Sequence, residues 1–242
     1  MNAAPRYAIY LAPDISTPLW QFGSSILGYD AATGQDVPHL QVDGLSAAFL
    51  HKITQTPRQY GFHATLKAPM RLRDGASEAM FRSVLADFVQ RQTAFDLGLL
   101  TLACLGDASR RTAFVGLVPA QPSASLMALE RAVVTALDTF RAPLSAAETE
   151  RRKPETLTAR QRAYLMDYGY PYVLEEYRPH FTLTDALEQA HPVADALARS
   201  LAKKVGAARM MVDALRLFRQ NAAEARFTLI ERFSLMPDNN GF

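Results

Sequence analysis

The chain has 242 residues, enough for one large domain or two small lobes with a shared core. Hydrophobic residues make up 49% and charged residues 21%, and a net charge of +2 does not equip the whole molecule to coat nucleic acid or anionic lipid. A single cysteine, Cys104, excludes an intramolecular disulfide framework, no run approaches the roughly 18 apolar residues of a membrane span, and MNAAPRYAIYLAPD lacks a signal-peptide core, so a soluble cytoplasmic protein with no membrane partner is expected.

In chain order, RYAIYLAP (6–13) predicts a strand closed by Pro13. PLWQFGSSILG and LSAAFLHKI predict helices, separated by a loop from Gly28 to about Gly44. GFHATLKAP (61–69) predicts a strand ended by Pro69. Residues 76–92 predict an amphipathic helix with Met80, Phe81, Val84, Leu85, Phe88 and Val89 on one side. FDLGLLTLACL and RTAFVGLVP predict strands around the turn GDASR, and a helix follows from about Ser123 to Phe140. A polar, basic connector spans about 142–160, with Arg151, Arg152 and Lys153 clustered as a phosphate-grasping lid or a solvated loop. TLTARQRAYLMD predicts a short helix capped by Thr158, and YGYPY (168–172) is an aromatic turn. HFTLT (180–184) predicts a strand, 188–204 a helix, and ARMMVDALRLF and ARFTLIERFSL two strands around RQNAAE.

One phrase occurs twice. YGFHATL (60–66) and YRPHFTL (177–183) both read Tyr-x-x-His-x-Thr-Leu, 117 residues apart. Downstream, Leu102, Cys104, Leu105 and Phe114 align with Leu215, Leu217, Phe218 and Phe227 at an offset of 113, so the chain reads as two diverged copies of strand, helix, strand, turn, strand. On a strand, residues i and i+2 share a face. His63 and Thr65 therefore point together with Lys67 next in line, while Phe62, Ala64 and Leu66 turn to a core. His180, Thr182 and Thr184 share a face, with Phe181 and Leu183 on the reverse.

Two such faces confronting each other would hold two imidazoles and two hydroxyls. An imidazole titrates near neutrality, so one can accept a proton while the other donates one. That pair suits P–O cleavage: a base for the incoming water, an acid for the departing alkoxide, and Thr hydroxyls on the phosphate oxygens. Either histidine can take either role, and neither step requires a metal or other cofactor. Tyr60 and Tyr177, three residues ahead of each histidine, could donate to phosphate, line the groove or simply pack. Lys67 and Arg178 could attract an anionic substrate. His39, His51 and His191 lack the motif and are read as structural. His-x-His, His-Glu-x-x-His, the Gly-rich phosphate loops and the Gly-x-Ser-x-Gly elbow do not occur.

Two His-x-Thr-Leu strands in a duplicated α/β chain resemble the two-histidine (2H) phosphoesterase superfamily, which includes 2′-5′ RNA ligase-like proteins and cyclic nucleotide phosphodiesterases. YGFHATLKAP, LTARQRAYLMDYGYPYV and YRPHFTLT are similar to its bacterial branch of phosphonate-metabolism proteins. The resemblance implies one α+β domain over 1–242: a bilobal, duplicated fold with intertwined lobes, two antiparallel sheets flanked by helices, and a central groove. It further implies His63 and His180 as the acid/base pair, Thr65 and Thr182 as phosphate ligands, no cofactor, and a small cyclic phosphodiester as substrate. Pro179 departs from the apolar residue expected before the second histidine and loosens the match between lobes. An RNA end-processing reading would need a continuous basic track, and the sequence offers only scattered arginines and the 151–153 cluster, so RNA is not favoured. A non-catalytic phosphate sensor would not need two titratable groups.

Overall fold

A computed structural model describes residues 4–106 and 111–238. Its strands are β1 (Arg6–Leu11), β2 (Tyr29–Asp30), β3 (Gln35–Asp36), β4 (Ala64–Arg71), β5 (Phe95–Leu105), β6 (Phe114–Pro119), β7 (Phe181–Thr182), β8 (Arg209–Val212), β9 (Ala214–Gln220) and β10 (Thr228–Ser234). The helices are α1 (Pro18–Leu27), α2 (Ala47–Ile53), α3 (Gln55–Arg58), α4 (Glu78–Val89), α5 (Ala124–Leu137), α6 (Ala146–Arg151), α7 (Ala159–Tyr168) and α8 (Ala190–Lys204). None of the described helices is long and apolar enough to cross a membrane.

Eight strands form one antiparallel sheet in the order β10-β9-β1-β4-β7-β6-β5-β8. The two expected sheets are its four-stranded halves, joined at the centre between β4 and β7 by one ladder pair, Ala64 with Phe181. The hairpins are exchanged. β5–β6, which follows β4 in sequence, lies beside β7, whereas β9–β10, which follows β7, lies beside β1 and through it β4. The sheet curls until its ends meet: only Asp213 separates β8 at one edge from β9 near the other, and Met236 bonds to Gln92 and Ala94 just before β5.

Strand alternation builds two cores. Tyr7, Ile9 and Leu11 of β1 enter the large core with Phe62, Ala64, Leu66, Phe181 and Leu183, under α4, α5 and α8. Ala8, Tyr10 and Ala12 face the other way, with Trp20, Tyr29, Phe218 and Phe227. The motif phenylalanines Phe62 and Phe181 pack ring to ring at 5.3 Å beneath the central junction.

Four local expectations are corrected. Pro69 does not end β4, which runs on to Arg71; it sits in the register shift between the Ile9–Lys67 and Tyr7–Met70 pairs, where no ladder donor is needed. Met80 and Val84 of α4 are exposed, and Phe81, Leu85, Phe88 and Val89 make the buried stripe. ARMMVDALRLF is two strands, because the chain changes sheet edge at Asp213. The 28–44 loop contains the β2–β3 hairpin. The GDASR turn falls largely outside the described residues.

Gly23 of α1 lies directly over the motif: a Cβ there would stand 2.2 Å from the Phe62 ring. Helix propensity alone favours Gly23→Ala by about 1 kcal/mol. The clash with Phe62 outweighs this, and the substitution is expected to lower stability by about 1–3 kcal/mol in urea denaturation, a raised midpoint being the contrary result.

Candidate active site

The register at the sheet centre places the two motifs. Ala64 opposes Phe181 in an antiparallel pair. Continuing that register one residue each way sets His63 beside Thr182 and Thr65 beside His180, all four on the face opposite Phe62, Leu66 and Leu183. The motifs thus form a pseudo-twofold quartet in which each imidazole neighbours the other strand's hydroxyl.

Both rings are oriented in the same way. His63 Nδ1 lies 2.9 Å from the Gly61 carbonyl, and His180 Nδ1 lies 2.7 Å from the Arg178 carbonyl, the residue two positions back in each case. A carbonyl only accepts, so Nδ1 carries the proton and Nε2 is the free nitrogen of the neutral ring. His63 Nε2 accepts from Thr65 Oγ1 at 3.2 Å. The Gly61 turn that offers the carbonyl has φ +78°, and a Cβ there would lie 2.6 Å from Ala31 Cβ.

The surroundings disfavour charge. His63 stacks on Tyr10 with ring centroids 3.6 Å apart and packs against Phe218 and Tyr60. Burial pushes its pKa down to about 4, with the nearby His180 adding to the effect and the Gly61 hydrogen bond opposing it. His180, beside Phe114 at 5.3 Å, is also pushed down by burial.

A cavity of about 720 Å³ opens against two members of this quartet, Thr65 and His180. Its wall includes Thr65 and His180 on the sheet side and Gln161, Tyr170, Glu176, Tyr177 and Arg178 from the segment before the second motif. His63 and Thr182 are not among its lining residues, though His63 bonds to Thr65, which is. Tyr177 is only 6% exposed, and its Oη has no hydrogen-bond partner. Tyr60 stacks on Phe227 at 5.3 Å and packs beside His63. Arg178 is exposed at the cavity edge, one guanidinium nitrogen donating to the Glu175 and Tyr177 carbonyls.

Lys67 does not join the group. It is 3% exposed and pairs with Asp138 at 2.9 Å, also donating to the Val134 carbonyl. Burial lowers its pKa and Asp138 opposes that. The register shift after Thr65 turns the side chain toward α5, so the expected anion-attracting role is not what its contacts serve. Thr184 is likewise committed, accepting from Val115 N and donating to the Asp185 carbonyl. His39 and His51 surround the buried Arg58, consistent with structural histidines. Arg151 to Lys153 close α6, with the Arg152 guanidinium 4.9 Å over the Tyr170 ring. Among the described residues, no group of three or more His, Cys, Asp and Glu could hold a metal ion.

Sequence reasoning missed Tyr10, Gln161, Glu176 and Glu130. Tyr10 carried a signal, since strand alternation puts it on the face opposite Ile9 and Leu11. Glu130 is a fully buried carboxyl in α5 that accepts the Leu174 N–H on both oxygens at 3.2 Å and fixes Leu174 at φ +55°. Burial pushes its pKa up to about 7. It pins the turn that leads into Tyr177 and His180, and a lone glutamate in a helical stripe does not announce that.

Fold and site define an α+β protein with paired His-x-Thr strands abutting at the centre of one antiparallel sheet, beside a cavity of mixed polar and apolar lining. Residues 65–228 match the family described as Protein of unknown function (DUF1045), and the chain belongs to that family. It is 36% identical over 232 residues to ribose 1,5-bisphosphate phosphokinase PhnN of Janthinobacterium sp. (strain Marseille), covering 94% of this chain and 50% of that one. It is 37% identical over 224 residues to the protein of the same name from Laribacter hongkongensis (strain HLHK9), covering 93% and 50%. The chain thus spans about half the length of the curated relatives it matches. Among solved structures it is similar to E. coli LigT in apo form, with a TM-score of 0.44, 15% identity, and coverage of 97% of this chain and 99% of that chain.

The depressed histidines link pH to stability. An unfolded chain protonates His63 near pH 6.5, whereas the folded chain keeps it neutral down to about 4. Its contribution is therefore complete above pH 6.5 and is lost as pH falls from 6.5 to 4. Unfolding free energies in urea are expected to drop by about 1–3 kcal/mol across that window, with a shallower slope in His63→Asn. An equal slope in the variant would contradict the assignment.

Proposed function

We propose that the chain is a metal-independent two-histidine phosphoesterase that opens a small cyclic phosphodiester. The observation that carries this is the quartet: two imidazoles, each with Nε2 left as the unprotonated nitrogen by the same carbonyl bond, set beside two threonine hydroxyls, with His180 and Thr65 lining a substrate-sized cavity. Water attacks phosphorus as one neutral histidine takes its proton at Nε2. The ring P–O bond breaks, and the other histidine, charged beforehand, donates its Nε2 proton to the departing oxygen. One water is consumed, and the product is a phosphomonoester with a free hydroxyl. The deeper ring, His63, held neutral by Tyr10 and its burial, serves as base, and His180, on the cavity wall, serves as acid. Thr65 and Thr182 hold the non-bridging oxygens as charge builds on them.

The curated relatives carry a ribose bisphosphate in their name. This favours a phosphorylated ribose as the carrier of the cyclic ester and phosphonate breakdown as the setting. The phosphokinase activity in that name belongs to chains twice as long and is not transferred here.

A panel of cyclic phosphates, including ribose 1,2-cyclic phosphate and 2′,3′-cyclic nucleotides, tests the proposal. His63→Ala and His180→Ala are each expected to lose about 10³-fold or more in kcat with circular dichroism unchanged, and Thr65→Ala and Thr182→Ala about 10–10²-fold. Near wild-type turnover in either histidine variant would defeat the paired mechanism, and activity lost to a chelator and restored by added metal would defeat the metal-free one.

A further inference from the structure

The cavity is lined by two chemically different groups of side chains. One group is the His180 imidazole, whose Nε2 donates to a phosphate once the ring is protonated, with the Thr65 hydroxyl. The other includes a carboxylate, Glu176, held in the wall by Gln161, whose Nε2 donates to Glu176 Oε2 at 3.0 Å while its Oε1 accepts the Thr158 N–H at 3.1 Å. Gln161 is thereby used on both sides and fixes the carboxylate's orientation. The nearest cation, Arg160, is 3.8 Å away and largely exposed, which leaves Glu176 with acceptor capacity. A carboxylate facing a site for a phosphodiester repels any second anionic group placed against it, so the part of the ligand that lies there must be neutral and rich in hydrogen-bond donors. Tyr177 also lines the cavity, and its buried Oη has no hydrogen-bond partner. Tyr170 and Tyr172 line the same wall with aromatic faces, and the volume of about 720 Å³ exceeds what a bare cyclic phosphate fills.

From this we infer that residues 156–178 form a polyol-binding wall, in which Glu176, oriented by Gln161, reads the hydroxyls of a sugar whose cyclic phosphate lies on the histidines. The inference rests on the phosphoesterase reading for the phosphate end alone. Glu176 is a specificity-determining residue, Gln161 its positioning residue, and the substrate class is a pentose cyclic phosphate rather than an RNA terminus.

The test compares wild type and Glu176→Ala on ribose 1,2-cyclic phosphate, on hydroxyl-free ethylene phosphate and on 2′,3′-cyclic nucleotides. Wild type is expected to prefer the pentose ester over ethylene phosphate by about 10²-fold in kcat/KM, and the variant to cut that ratio by about 10–100-fold, mainly through KM. Glu176→Gln, which keeps an acceptor, recovers part of the ratio. A ratio the variant leaves unmoved overturns the inference, as does strongest turnover on cyclic nucleotides with a dependence on the base. Should no cyclic ester turn over, the phosphoesterase reading fails on its own, and calorimetry with ribose 5-phosphate and inorganic phosphate tests the wall. A smaller preference for ribose 5-phosphate in Glu176→Ala upholds it, and equal preferences in both proteins refute it.

Discussion

Ala64 and Phe181 make the ladder pair between β4 and β7 at the centre of the sheet, and the geometry of the site follows from its register. Because side chains alternate, fixing a small residue opposite a phenylalanine on the core side fixes His63, Thr65, His180 and Thr182 together on the other. A slip of one residue would send the imidazoles into the apolar core and the phenylalanines into the cavity. Several neighbours hold that register: the Phe62–Phe181 contact beneath it, Gly23 allowing α1 to sit on Phe62, and Gly116 opposite Thr182, where a Cβ would meet the Phe181 carbonyl at 2.9 Å.

The electrostatic design around the quartet is one of withheld charge. The cation nearest the first motif in sequence, Lys67, is spent on Asp138, and that ion pair ties β4 to the end of α5. The same helix carries Glu130, whose carboxyl holds the 173–176 turn ahead of the second motif. One helix therefore spans the approach to both histidines. Burial disfavours charge on both histidine rings, and the threonine hydroxyls beside them carry none.

The motifs and the face they share were legible because period-two alternation needs only neighbouring residues. The helices from 76, 123, 158 and 188 were legible for similar reasons: a buried stripe or a capping serine or threonine marks each. What could not be read depended on pairing between distant residues. Lys67 looked available because its strand register with Ile9 shifts one step past Thr65, and nothing in LKAP discloses that. Pro69 looked like a terminator because its place in the same irregularity was invisible. Tyr10 under His63, and Glu176 in the same cavity wall as His180, join segments whose meeting is decided by the sheet order.

The exchange of hairpins has a consequence for how the molecule reaches this state. Residues 64–71 find their neighbours in residues 6–11 and, through them, in 214–234, while the strands at 95–119 wait for residue 181. Neither half of the duplicated sequence can complete its own half of the sheet, so assembly is dominated by contacts of long sequence separation, whose loop-closure entropy slows folding. The quartet draws on both halves of the chain, so it exists only once Ala64 and Phe181 have paired: a chain without that contact would hold one histidine strand without its opposite.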